Sequence, residues 1–236
     1  MSTGPVPRLP VPAGEVARLR RFLRVRPAEP TLERCDLCAQ ALPAHHPHLV
    51  HVTERSMKCA CRPCALLFVD RPTELGGFPG YRTVPERYLR DPDFVLADEH
   101  WDALQIPVAV AFFLRNSAQD DIVACYPSPA GATESELDLA RWSDGIGAGR
   151  LTELLEPDVE ALLVRRGAAR GETGTATECL LVPIDACYRL VGLVRTHWRG
   201  FDGGADAWAH IDAFFDDARS RARDLKPHDS PTGVAS

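Results

Sequence analysis

The sequence predicts an α+β protein: a small cysteine-rich module near the N-terminus, a mixed α/β domain, and a closing C-terminal amphipathic helix. Three observations carry this. Five cysteines, Cys35, Cys38, Cys59, Cys61 and Cys64, fall within thirty residues. Apolar runs of strand length, such as Val108–Leu114 and Leu180–Ile184, alternate with polar turns. Trp208, Ile211, Phe215, Ala218, Ala222 and Leu225 then follow at spacings of three and four.

The elements follow in order. Residues 1–30 read as a Pro-rich leader and a basic helix over 14–26, with Val16, Leu19, Phe22 and Leu23 on one face. Residues 31–71 are the cysteine- and histidine-rich module, and residues 72–226 the mixed domain. The domain opens on a Gly/Pro connector over 72–92. A helical turn is expected at 98–104, with Asp98 as its N-cap. Val108–Leu114 and Ile122–Tyr126 pair as a hairpin across RNSAQDD. A polar excursion over 127–149 follows, without the glycine–lysine pattern of a phosphate-binding loop. Leu151–Arg166 fits a helix or a strand equally. After a flexible loop over Gly167–Thr177, strand Leu180–Ile184 leads into a helix capped by Asp185. The stripe of the last helix spans roughly 205–225. Residues 227–236 are expected to be a disordered tail.

The module carries the chemistry. Cys35-Asp-Leu-Cys38 is followed, 22 residues later, by Cys61-Arg-Pro-Cys64. A tight turn aims two sulfurs at one point, and two such turns complete a tetrahedron. Thiolates in that arrangement suit zinc. Between the pairs, HLVHV and SMKCA alternate as a hairpin, and RPCALLF can begin a short helix with Pro63 in its first turn. Knuckle, hairpin and helix make a treble-clef-like finger; a zinc ribbon, with CALLF as a strand, is the alternative. Cys35, Cys38, Cys61 and Cys64 are therefore the expected metal ligands. Iron or an iron–sulfur cluster is the alternative cofactor. Each second cysteine is followed by alanine, Ala39 and Ala65, where rubredoxin-type knuckles carry glycine.

Cys59 is then a surplus thiol, beside His45, His46, His48 and His51. It reads either as a spare in a strand or, with His46 and His48, as an additional metal or redox group. Cys125, Cys179 and Cys187 sit in apolar runs and read as core thiols. No catalytic residue is assigned, and the sequence leaves open whether the chain is an enzyme, with a non-enzyme the preferred reading.

Composition narrows the function classes. The net charge of −6 is uneven: about +4 over residues 1–34, +1 over 35–71 and −11 over the rest. That acidic bulk argues against nucleic acid as a partner. The basic arm can fold onto it or meet an acidic protein partner. No apolar run approaches the roughly 18 residues of a membrane span. The opening MSTGPVPRLPVP places prolines where an export signal needs an apolar stretch, so a cytoplasmic location is expected.

CDLC, HPHL, CACRPCALLF, YPSPAGATES, PDVEALL and VPIDACYRLVGLVRTHWRGFDGGADAW resemble an uncharacterised bacterial family, a domain of unknown function found beside nickel–iron uptake hydrogenase genes. The resemblance implies an accessory or maturation role, with hydrogenase subunits as partners. It transfers no catalytic residue. Electron transfer through iron in the same cysteines, and a zinc enzyme with an open position at His46 or His48, are the competing expectations.

Overall fold

The computed structural model describes residues 33–68, 80–135, 139–167, 177–200 and 202–226. The expected leader, basic helix and C-terminal tail lie outside these residues, as does most of the loop expected over 167–177.

Apolar runs become central strands when both faces of a sheet are covered. β5 (Val110–Asn116), β8 (Glu160–Arg165) and β9 (Glu178–Pro183) are such strands. They lie in a seven-stranded sheet of order β10-β4-β9-β8-β5-β6-β7. β4 is Leu89–Arg90, β6 Asp121–Ser128, β7 Gly131–Ser135 and β10 Arg223–Asp224. All neighbours are antiparallel except β10 and β4. The period of two sorts the side chains. Phe112, Ala161, Leu163, Leu180 and Val182 enter one core. Phe113, Leu162, Val164, Cys179 and Leu181 enter the other.

The helices cover the two faces. α1 is Arg62–Ala65, α2 Asp98–Ala103, α3 Leu139–Asp144, α4 Arg150–Glu153, α5 Ile184–His197 and α6 Gly204–Arg221. α5 places Cys187, Leu190, Val191 and Val194 on the first core, and α6 adds Ile211, Phe214, Phe215 and Ala218. Trp101, Trp142, Ile146 and Leu151, from α2, α3, α4 and the turn between the last two, close the second core.

Several expectations change in detail. The stripe of the final helix ends at Arg221, and its buried side includes Phe214. Leu225 passes beyond β10 into the opposite core. Leu151–Arg166 resolves into α4, a turn and β8, because Pro157 interrupts the run. Ala97, not Asp98, is the N-cap of α2, and Pro183, not Asp185, that of α5. Asp185 instead sits in the first turn of α5 and turns toward the cysteine module. The polar excursion contains β7 and α3.

The module holds β1 (His48–His51) and β2 (Ser56–Cys59), paired antiparallel. Tyr81–Thr83, from the segment read as a connector, forms β3 on the other side of β1. This small sheet docks on the larger part. Val50, Val84 and Tyr88 join the α5 and α6 core. Arg55 pairs with Glu134 at 2.6 Å, and His48 with Asp185 at 2.9 Å.

One buried ion pair ties the layers together. Glu160, fully buried, receives both Nε and Nη2 of Arg87 and the amide of Glu156. The hydrogen bond to Glu160 raises the Arg87 pKa, keeping the guanidinium charged.

Candidate metal centre

The first knuckle is built by backbone hydrogen bonds. The Ala39 amide donates to the Cys35 carbonyl at 2.8 Å, and the Cys35 amide to the Gln40 carbonyl at 2.8 Å. Closing so tight a turn puts Ala39 at φ 61°, the left-handed region where rubredoxin-type knuckles place glycine. The missing glycine therefore does not prevent the knuckle; Ala39 adopts its conformation at a cost of about 1–2 kcal/mol. Ala39→Gly is expected to raise the unfolding free energy of the metal-loaded protein by up to about 1 kcal/mol, because it relieves that strain and glycine's greater loss of chain entropy on folding offsets only part of the gain. Denaturant melts check this; an unchanged or lowered midpoint would contradict it.

The second pair straddles a helix start. Cys61 is the extended N-cap of α1, Pro63 lies in the first turn, and Cys64 sits one turn on. The Ala65 amide donates to the Cys61 carbonyl at 2.9 Å. The hairpin locks this pair to the knuckle, because the Asp36 amide donates to the Cys59 carbonyl at 2.9 Å.

The four sulfurs of Cys35, Cys38, Cys61 and Cys64 lie within 4.8 Å of one another. Cys38 Sγ and Cys61 Sγ are 3.6 Å apart. A tetrahedron with metal–sulfur bonds of about 2.3 Å has edges of roughly 3.8 Å, so the group fits a zinc-sized ion. The group could bind a metal ion, and its electrostatics favour one. Burial raises the Cys35 thiol, but the amides of Cys61, Leu37 and Cys38 bring it down to about 6. Cys64 is pushed up to about 12, mainly by its hydrogen bond to Cys61. Cys38 is lowered by the Gln40 amide, yet Cys35 and Cys61 raise it overall. One thiolate is thus stabilised, and each further one is opposed by its neighbours. A divalent cation removes that opposition.

Cys59 is not in this group. It stands with His46 and His48, their ligand atoms also within 4.8 Å of one another. His51 turns away, its Nδ1 accepting the Glu54 amide at 3.1 Å, and its ring meets Tyr81 edge-on. His45 is exposed. Cys125, Cys179 and Cys187 are buried core thiols, and burial pushes Cys125 up to about 12.

Sequence reasoning missed a third group. His197, Asp206 and His210 come together where α5 ends and α6 begins. The imidazoles stack at 3.6 Å, and Asp206 accepts from His197 Nδ1 at 2.9 Å. That bond holds the Asp206 carboxyl below its usual range. The available signal was Asp206 and His210 at i, i+4 on one helix face.

The chain belongs to a family described as a "Family of unknown function (DUF5947)", whose profile matches residues 34–222. Searches of curated proteins and of solved structures found no match to it.

Proposed function

We propose that this family member holds zinc in Cys35, Cys38, Cys61 and Cys64 and acts in the cytoplasm as a non-catalytic accessory protein, used in assembling a nickel–iron hydrogenase. The observation that carries this reading is the closure of four sulfurs on one point. Four thiolates saturate a tetrahedral zinc ion, leaving no position to activate water, so the ion's contribution is folding free energy and rigidity. The order of knuckle, hairpin and α1 supports a treble-clef-like finger over a ribbon, since CALLF is helical rather than extended. The choice of partner rests on what the family resemblance of the sequence implies. The uneven charge along the sequence supports a salt-sensitive association with that partner.

Deleting the gene should lower hydrogen uptake by reducing mature enzyme, with unprocessed large subunit accumulating and uptake returning on complementation. Unchanged uptake and normal processing would remove the accessory reading.

A second reading, electron transfer through iron or an iron–sulfur cluster, is favoured by one observation. The backbone amides of Cys61, Leu37 and Cys38 lower the pKa of the Cys35 thiol, and hydrogen bonds of that kind to sulfur tune iron sites. A reversible colour change on reduction would establish that reading, because zinc has no second redox state.

A further inference from the structure

We propose that His46, His48 and Cys59 form a second metal site, separate from the four-cysteine group and facing the cleft between the module and α5. Its ligand would be a divalent ion of the zinc, cobalt and nickel class, which imidazole and thiolate together favour.

Strand register creates the group. His48 and Cys59 are direct partners across the β1–β2 pair, so their side chains share a face. His46 precedes His48 by two residues, and the rings lie 4.8 Å apart. The three donors lie within 4.8 Å of one another.

Both imidazoles are set in the form a metal needs. His46 Nδ1 lies 2.9 Å from the Pro43 carbonyl, and His48 Nδ1 lies 2.9 Å from Asp185 Oδ2. Neither partner can donate, so each ring carries its proton on Nδ1 and, when neutral, a lone pair on Nε2. A carboxylate behind a histidine is the recurrent outer shell of metal sites. The His46 side chain is only 4% exposed, and its Nε2 is buried without a hydrogen-bond partner. A lone pair left so is costly unless something accepts it. Glu33 Oε2, at 3.7 Å from that nitrogen, is too far for a hydrogen bond but has the right charge beside a cation.

The third donor is held equally firmly. Asp36 accepts the Cys59 amide at 2.7 Å and gives its own amide to the Cys59 carbonyl. The four-cysteine knuckle therefore braces the second site without sharing a ligand. Three protein donors leave the fourth corner of a tetrahedron to water, to Glu33 or to a small ligand. Glu33, His46 and His48 line a cleft of about 1010 Å³, through which such a ligand would enter.

The test is cobalt(II) titration of the chelator-stripped, full-length protein under anaerobic conditions, read by absorption and by metal stoichiometry. Two equivalents should bind, the first with an intense four-thiolate spectrum and the second more weakly, with one thiolate. Cys59→Ser and His48→Ala should each lose the second equivalent and keep the first, whose spectrum reports that the module remains folded. Asp185→Asn should weaken the second equivalent by about 10–100-fold and leave the first unchanged. Binding of a single equivalent by the wild-type protein under excess cobalt would overturn the proposal. So would a second equivalent that survives both Cys59→Ser and His48→Ala. Absence of the four-thiolate spectrum in the wild type would instead count against the zinc reading of the first group.

Discussion

Replacing Cys38 with serine is expected to empty the four-cysteine group and unfold the module around it, while the seven-stranded part keeps its structure. The module's own core consists of Leu42, Leu49, Ala60 and Ala65 beside the cysteines themselves, with Phe68 and Tyr81 half-buried against it. At about 25 cal/mol per Å² that burial cannot offset the ordering of some thirty residues. A structural zinc ion contributes on the order of 10 kcal/mol, so its loss decides whether the module folds. Amide exchange in β1 and β2 should rise to unfolded rates, and the protein should lose its tightly held zinc. The four tryptophans, Trp101, Trp142, Trp198 and Trp208, all lie in the larger part, so their emission should barely change. A Cys38→Ser protein with full metal content in that group would show that the ligand set is wrong.

The second large effect is expected far from the cysteines. Arg87→Ala leaves Glu160 fully buried and without its counter-ion. Breaking a buried pair from one side costs about 3–5 kcal/mol, and the lower end applies because Arg87 keeps 35% of its side chain in water. The double variant Arg87→Met/Glu160→Leu should recover most of that loss, since no charge then remains buried. Urea unfolding measures both. A single variant within about 0.5 kcal/mol of wild type would mean that water or Glu156 already satisfies the carboxylate.

These two sites mark where the sequence could be read and where it could not. The CxxC pairs were legible because their geometry is local: four residues and one turn aim both sulfurs. Apolar runs such as Leu180–Ile184 were legible because a doubly covered strand needs no polar alternation. Arg87 and Glu160 lie 73 residues apart, and no periodicity connects them. The same holds for His48 and Asp185, 137 residues apart, so Asp185 was read as a helix cap from its neighbours alone. Strand β3 is three residues long and sits in a Gly/Pro-rich stretch, where pairing with β1 overrides local propensity. Ala39 shows the opposite failure. Its residue type argued against a rubredoxin-type knuckle, but the hydrogen bonds of Ala39 to the Cys35 carbonyl and of Cys35 to the Gln40 carbonyl hold Ala39 in the left-handed region that glycine usually fills.

Four-thiolate zinc binding is tested most directly by X-ray absorption at the zinc edge of anaerobically purified Cys59→Ser protein, in which only the four-cysteine group should hold an ion. One zinc per chain with four sulfur neighbours at about 2.3 Å is the expected result. A shell containing nitrogen or oxygen in place of a sulfur, or a chain that purifies without metal, would contradict it.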